Sequence, residues 1–201
     1  FMDELTEFNR TVLESLRQPL EDHVITISRS KGASRFPARF TLVGAMNPCP
    51  CGFQGHNKKK CNCSSKEKLR YQKKLSGPFL DRIDVRLEMK PIPIKDLGSN
   101  DWFTLNTFLE QVQLARALQQ NRFKSSIKLN SDISARELNK FCVMSRAGER
   151  FLHEKIKNEY LSARGFSRVL KVARTVADMM GDEIIHEQHI LEALQLRLGK
   201  N

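Results

Sequence analysis

The chain has 201 residues, enough for one substantial core or for a medium domain with a smaller one beside it. No stretch is long and apolar enough to span a bilayer, and the acidic start Phe1-Met2-Asp3-Glu4 lacks the basic leader of a signal peptide, so a cytoplasmic protein with no membrane partner is expected. With 34 Lys and Arg against 23 Asp and Glu the net charge is +11, which suits an anionic partner such as nucleic acid.

Leu5 to Leu20 reads as an amphipathic helix with Leu5, Phe8, Val12, Leu13 and Leu16 on one face. Val24–Ile27 and Arg35–Phe40 flank a Ser-Lys-Gly-Ala turn and predict a β-hairpin. The run Phe40–Met46 is almost entirely apolar and predicts a central strand buried on both faces. Ile83–Met89 alternates and predicts a second strand. The stretch Lys90-Pro91-Ile92-Pro93-Ile94 separates this α/β region, placed at 1–97, from an all-helical region at 98–201.

Four helical stripes follow: Leu105, Phe108, Leu109, Val112 and Ala115; Phe151, Leu152, Ile156 and Tyr160; Val169, Leu170, Ala173, Val176, Ala177 and Met180; Ile190, Leu191, Leu194 and Leu198. Asp132, Ser145 and Ser162 are placed as helix N-caps. Cys142, between Phe141 and Val143, reads as a small buried hydrophobe.

Three groups of residues carry chemistry. The first is an acid pair, Asp3 and Glu4, after a short apolar start. Two acids at the carboxyl edge of a parallel sheet can hold Mg²⁺ through water and orient an attacking water. Read alone, the same tetrapeptide fits a solvated helix N-terminus. Asn47 ends the apolar run, and Arg82 precedes the second expected strand.

The second group is Cys49-Pro50-Cys51 and Cys61-Asn62-Cys63, two C-x-C pairs separated by nine residues. Four thiolates suffice for a closed tetrahedral structural Zn²⁺ site, with free thiols as the alternative. His56 lies in the same loop and is the poorer ligand, since four sulfurs fill the shell. Lys58, Lys59 and Lys60 are expected to favour the thiolates.

The third is charge. Lys58, Lys59, Lys60, Lys66, Lys68, Arg70, Lys73 and Lys74 surround the cysteines, and Arg29, Lys31, Arg35 and Arg39 lie along the hairpin. Such groups can neutralise phosphates without reading sequence, or simply form a solvated loop. Few aromatics accompany them, so base stacking is not expected.

The acid pair, Asn47 and Arg82 in that order resemble the Walker B, sensor 1 and arginine-finger series of AAA+ proteins. More narrowly, FMDELTEF, LRQPLEDHVITISR, FPARFTLVGAMNPCPCG and GPFLDRID resemble the magnesium-chelatase-like ComM/YifB group of bacterial AAA+ ATPases. The resemblance implies the C-terminal half of a P-loop AAA+ core, with parallel strands and helices, followed by a helical lid. It makes Asp3 and Glu4 the Walker B acids, Asn47 sensor 1, and Arg82 a finger acting on a neighbouring subunit's nucleotide. Arg164 is the sensor 2 candidate and Arg168 the runner-up, with a surface salt bridge as the plain alternative for each.

ATP, Mg²⁺ and structural Zn²⁺ are the implied cofactors. The implied partners are single-stranded or branched DNA, contacted through Arg29 and Lys31, and copies of the same chain in a hexameric ring. The implied function is ATP-driven branch migration that helps incorporate strands during natural transformation. Chelatase motor subunits run from the Asn-Pro almost directly to the finger, so the cysteine insert favours the ComM/YifB group. Two rivals stay open: a chelatase-type ATPase remodelling a protein partner, and a non-enzymatic zinc-stapled nucleic-acid-binding module. The Gly-rich phosphate loop of the family precedes Walker B, and no G-x-x-x-x-G-K-[ST] occurs in this chain. The chain is therefore expected to be a fragment that does not hydrolyse ATP by itself.

Overall fold

The structure is a computed structural model describing residues 1–30, 32–56, 58–89, 102–159 and 161–199. They divide into two compact units, Phe1–Ile83 and Asp84–Asn201. Lys31, the stretch 90–94, the 97/98 boundary, Tyr160 and the side chains of Ile156 and Leu198 lie outside the described residues. No described helix is long and apolar enough to cross a membrane.

In the first unit the expected Leu5–Leu20 helix is interrupted. A 3-10 turn, Leu5–Glu7, is followed by α1 (Arg10–Ser15) and α2 (Arg17–Asp22). Asn9 starts α1 afresh, its side chain accepting the Thr11 N–H at 3.0 Å. Pro19 falls in the first turn of α2, where a missing N–H leaves no bond unmade. Leu5 and Leu13 point into the core with Leu75 and Phe79, whereas Phe8 and Val12 of the same expected face are 40% and 46% exposed.

The hairpin forms as expected: β1 (Val24–Arg29) pairs antiparallel with β2 (Gly32–Pro37), from Val24 opposite Pro37 to Arg29 opposite Gly32. Gly32 has φ +137, a conformation that suits glycine at the tight end of the ladder. The expected central strand Phe40–Met46 is a correction in degree. It pairs in parallel with the chain start through a single bridge, Met2 with Gly44. Phe40, Val43 and Met46 are 44%, 53% and 48% exposed, so the run is not buried on both faces. Beyond it, Ser64 caps α3 (Ser65–Gln72) with a reciprocal Glu67 bond, and Ser76 caps the single turn α4 (Gly77–Leu80).

Ile83–Met89 forms no strand, a second correction. Its alternating apolar residues stay exposed, Val85 at 44%, Leu87 at 57% and Met89 at 82%, and within the second unit Arg86 N–H bonds the Leu196 carbonyl at 2.6 Å instead of a strand partner. The rest of that unit is helical: α5 (Trp102–Phe123), a 3-10 turn at Asn130–Asp132, α6 (Leu138–Phe141), α7 (Arg146–Glu159), α8 (Ala163–Met180) and α9 (Glu187–Leu198). The described secondary structure is thus mainly helical with one two-stranded antiparallel sheet.

Ser162 accepts the Gly165 N–H at 3.1 Å and Ser145 the Gly148 N–H at 3.0 Å, both as expected of caps. Asp132 caps no following helix; its carboxylate reaches back to the Leu129 N–H at 2.9 Å. The core gathers Leu152, Val169, Leu170, Ala173, Ala177, Ile190 and Leu194, with Cys142 buried beside them. The α5 stripe is helical but not internal: Leu105, Phe108, Leu109 and Val112 are all about half exposed, and Ala115 alone of the five is buried.

At the centre of the helical unit Asp178 is fully buried with Arg174. Its carboxylate accepts from Arg122 at 2.8 and 2.5 Å, from Arg174 Nε at 3.1 Å and from Asn130 Nδ2 at 2.8 Å. One carboxylate therefore pairs with two guanidiniums, drawn from α5 and α8. Removing it by Asp178→Ala leaves buried positive charge uncompensated, at a cost of about 3–5 kcal/mol. Denaturant unfolding of the helical unit checks this. A loss below about 1 kcal/mol, the size of an ordinary surface pair, contradicts it.

Candidate functional site

The acid pair is placed by backbone pairing. Met2 N–H bonds the Val43 carbonyl at 2.8 Å, Ala45 N–H bonds the Met2 carbonyl at 2.9 Å, and Leu5 N–H bonds the Ala45 carbonyl at 2.8 Å. Because the two segments run parallel, Asp3 and Glu4 leave the pairing at the same edge as Asn47. Both acids and Asn47 are exposed there. Glu4 has φ 48 and ψ 46, left-handed values uncommon for a residue with a Cβ. Its N–H bonds the Asp3 carboxylate at 2.9 Å, which fixes the two acids relative to each other.

The other end of this edge is set by the cysteine loop. Gly52, at φ +76, closes a turn on Cys49 with a 3.0 Å N–H bond to its carbonyl. A Cβ at Gly52 would stand 3.8 Å from Asn47 Oδ1, so the Asn47 amide lies against this turn. The position of the Asn47 amide is therefore tied to the turn that opens the cysteine loop.

The four cysteines converge. All are free thiols, and their sulfurs lie within 4.8 Å of one another. The separations are 3.5 Å for Cys49–Cys51, 3.7 Å for Cys49–Cys61 and 3.6 Å for Cys51–Cys61. A tetrahedral zinc with Zn–S bonds of about 2.3 Å requires sulfurs about 3.8 Å apart. The set fits that ion in number, chemistry and spacing.

By the protein's own groups alone, a backbone hydrogen bond at Phe53 brings Cys51 down to about 6, while burial pushes Cys63 up to about 12. Hydrogen bonds from Cys63, Cys49 and Cys61 also lower Cys51. His56 is turned away from ligation: its Nδ1 accepts the N–H groups of Lys58 and Lys59, both at 3.0 Å.

Arg82 is buried and held within its own unit. It donates to the Glu21 carboxylate at 2.5 Å and to the Pro78 carbonyl at 2.6 Å. Glu21 was not singled out from the sequence, since nothing in spacing links it to Arg82. Arg29 sits exposed at the end of β1, and its expected companion Lys31 lies outside the described residues. In the helical unit Arg164 is exposed in the first turn of α8, whereas Arg168 is paired with Asp84.

The sequence also gives no sign of a buried contact within the first unit. Thr6 Oγ1 donates to Tyr71 Oη at 2.6 Å in a buried position, linking the turn after the acid pair to α3. Residues so far apart in the chain give no local signal of such a bond.

Comparison with known proteins gives matching assignments for both parts of the chain. A family model described as magnesium chelatase, subunit ChlI, matches residues 1–97, and a model of that subunit's C-terminal part matches residues 105–197. YifB of Salmonella typhimurium is 38% identical over 198 residues, and YifB of Escherichia coli 39% identical over 198. The competence protein ComM of Haemophilus influenzae is 40% identical over 202 residues. In each case 98% of this chain is covered but only 38% of the relative, so the chain spans well under half the length of these proteins. The chain belongs to the magnesium chelatase ChlI family, in the group that also holds YifB and ComM.

Proposed function

We propose that this chain is part of an ATP-hydrolysing ring motor that moves along DNA. The observation that carries the reading is the parallel register that brings Asp3, Glu4 and Asn47 to one edge, in a chain of an AAA+-like family. In the complete protein Mg²⁺ would supply charge neutralisation for the phosphates of bound ATP. Asp3 would hold the metal through water, and Glu4 would orient and deprotonate the attacking water. Asn47, its amide steadied by the Gly52 turn, would hold that water or the γ-phosphate from the opposite side.

Arg82 is the residue proposed to stabilise the transition state in a neighbouring copy, one of six in a ring. For that role its pair with Glu21 must open, so finger engagement and the α2 contact are alternatives. Arg164, exposed in the first turn of α8, is the phosphate contact proposed for the helical unit, with Arg168, paired with Asp84, as the second candidate. The hairpin, with Arg29 at its end, is proposed to follow the DNA backbone. The relative named as a competence protein supports a role in strand uptake or recombination.

In the complete protein, Glu4→Gln lowers ATP turnover by about 100-fold or more while nucleotide binding persists, the scale expected for loss of a general base. The measurement is steady-state ATPase with and without single-stranded and branched DNA. Turnover that survives the substitution removes Glu4 from the mechanism. A rate indifferent to DNA favours instead a motor that remodels a protein, the reading that the family's chelatase description raises.

The cysteine centre makes a separate prediction. Metal analysis of the purified protein returns about one zinc per chain, as a saturated four-sulfur site requires. Cys61→Ser releases most of it and lowers the melting temperature of the first unit. A full metal-free protein with unchanged melting contradicts the assignment.

A further inference from the structure

An open cleft of about 380 Å³ lies beside the acid-bearing edge, lined by Thr6, Glu7, Phe8 and Arg10 on one side and Arg70, Lys73 and Lys74 on the other. The buried bond from Thr6 to Tyr71 joins the Thr6 side to α3, the helix that carries Arg70. Four of the seven lining residues are cationic and one is acidic. Lys74 is spoken for: its Nζ pairs with Glu7 at 3.2 Å and lies 5.5 Å from the Tyr71 ring centre. Arg10, Arg70 and Lys73 take part in none of the ion pairs found among the described residues. Phe8 adds an aromatic ring 40% exposed to solvent at the same opening.

Cations outside ion pairs, beside an accessible aromatic face, are the combination that holds single-stranded nucleic acid, with phosphates on the cations and an unpaired base on the ring. We propose that this cleft binds one nucleotide unit of single-stranded nucleic acid. Arg10, Arg70 and Lys73 take its phosphates, and Phe8 stacks on its base. The site is separate from the hairpin and shares with the proposed function only the claim that the protein binds nucleic acid. It also reverses the sequence-based expectation that stacking plays no part, because Phe8 and Arg70 come together only in the folded unit.

The two kinds of contact leave different signatures. Each lost phosphate contact lowers the salt dependence of single-strand binding by about 0.7 in the log–log slope, whereas a lost stack weakens binding with the slope unchanged. The experiment is fluorescence anisotropy of a labelled oligothymidine titrated with the complete protein over a range of salt. Arg70→Ser with Lys73→Ser is expected to reduce the slope by about 1.4. Phe8→Ala is expected to weaken binding by about five-fold or more at constant slope. Arg29→Ser, on the hairpin, is the comparison variant, and melting curves check that each variant is folded.

Oligothymidine binding that responds to Arg29→Ser but to neither cleft variant overturns the cleft site and leaves nucleic-acid binding standing. Absence of binding by the unaltered protein overturns both. Slope loss without any effect of Phe8→Ala, together with equal competition by inorganic phosphate, makes the cleft a simple anion site and overturns the nucleotide-unit claim. Duplex DNA binding as tightly as oligothymidine, at the same Phe8 dependence, also overturns it, because a paired base offers no face to the ring.

Discussion

The buried bond from Thr6 to Tyr71 is the constraint on which the first unit depends. Thr6 lies in the turn that follows Glu4, and Tyr71 lies in the helix that follows Cys63, so one hydroxyl pair joins the acid edge to the cysteine loop. Around it the apolar core is small, with Leu5, Leu13, Leu75 and Phe79 as its buried members. A core of that size leaves little surplus over chain entropy, which is why a polar bond and a metal-sized cluster of thiols matter here. The four sulfurs converge within 4.8 Å of one another in a loop rich in charge and glycine, the kind of segment that a bound metal would order.

Geometry links these devices to the chemistry proposed. Cys49 stands two residues after Asn47, and Gly52 folds back onto the Asn47 amide. Cys63 directly precedes Ser64, the cap of α3, whose far end carries Arg70 and whose flank Lys73 and Lys74 extend. The cysteine centre thus positions two sets of residues at once, the amide at the acid edge and the cationic wall of the cleft. A structural site need not touch a substrate to set the placement of groups that do.

What the sequence carried most clearly was local. The hairpin, the Ser145 and Ser162 caps and the α8 stripe of Val169, Leu170, Ala173 and Ala177 follow from neighbours within a turn or a strand pair. The cysteine cluster was legible because ligand spacing is itself a local pattern. Contacts between distant residues were not legible: Arg82 with Glu21, Thr6 with Tyr71, and the joining of Phe8 to Arg70 across the cleft. The helix over Leu5–Leu20 was misjudged because its apolar spacing runs straight through Asn9, whose side chain prefers to begin a helix rather than continue one.

Burial was the other limit, and its pattern is informative. Phe40, Val43 and Met46 beside the acid edge, Ile25 and Phe36 on the hairpin, and Leu105, Phe108 and Leu109 on α5 all have the spacing of interior positions. Each of them is 40% or more exposed. Periodicity reports which residues avoid water in the protein that was selected, whereas exposure reports what this chain alone can cover. The two readings agree in the helical unit around Asp178, where the chain supplies its own partners. They part at the acid edge, the hairpin and the first half of α5, and the parent relatives are more than twice as long as this chain. The disagreement between pattern and exposure therefore marks the surfaces of this chain whose apolar character its own fold does not use.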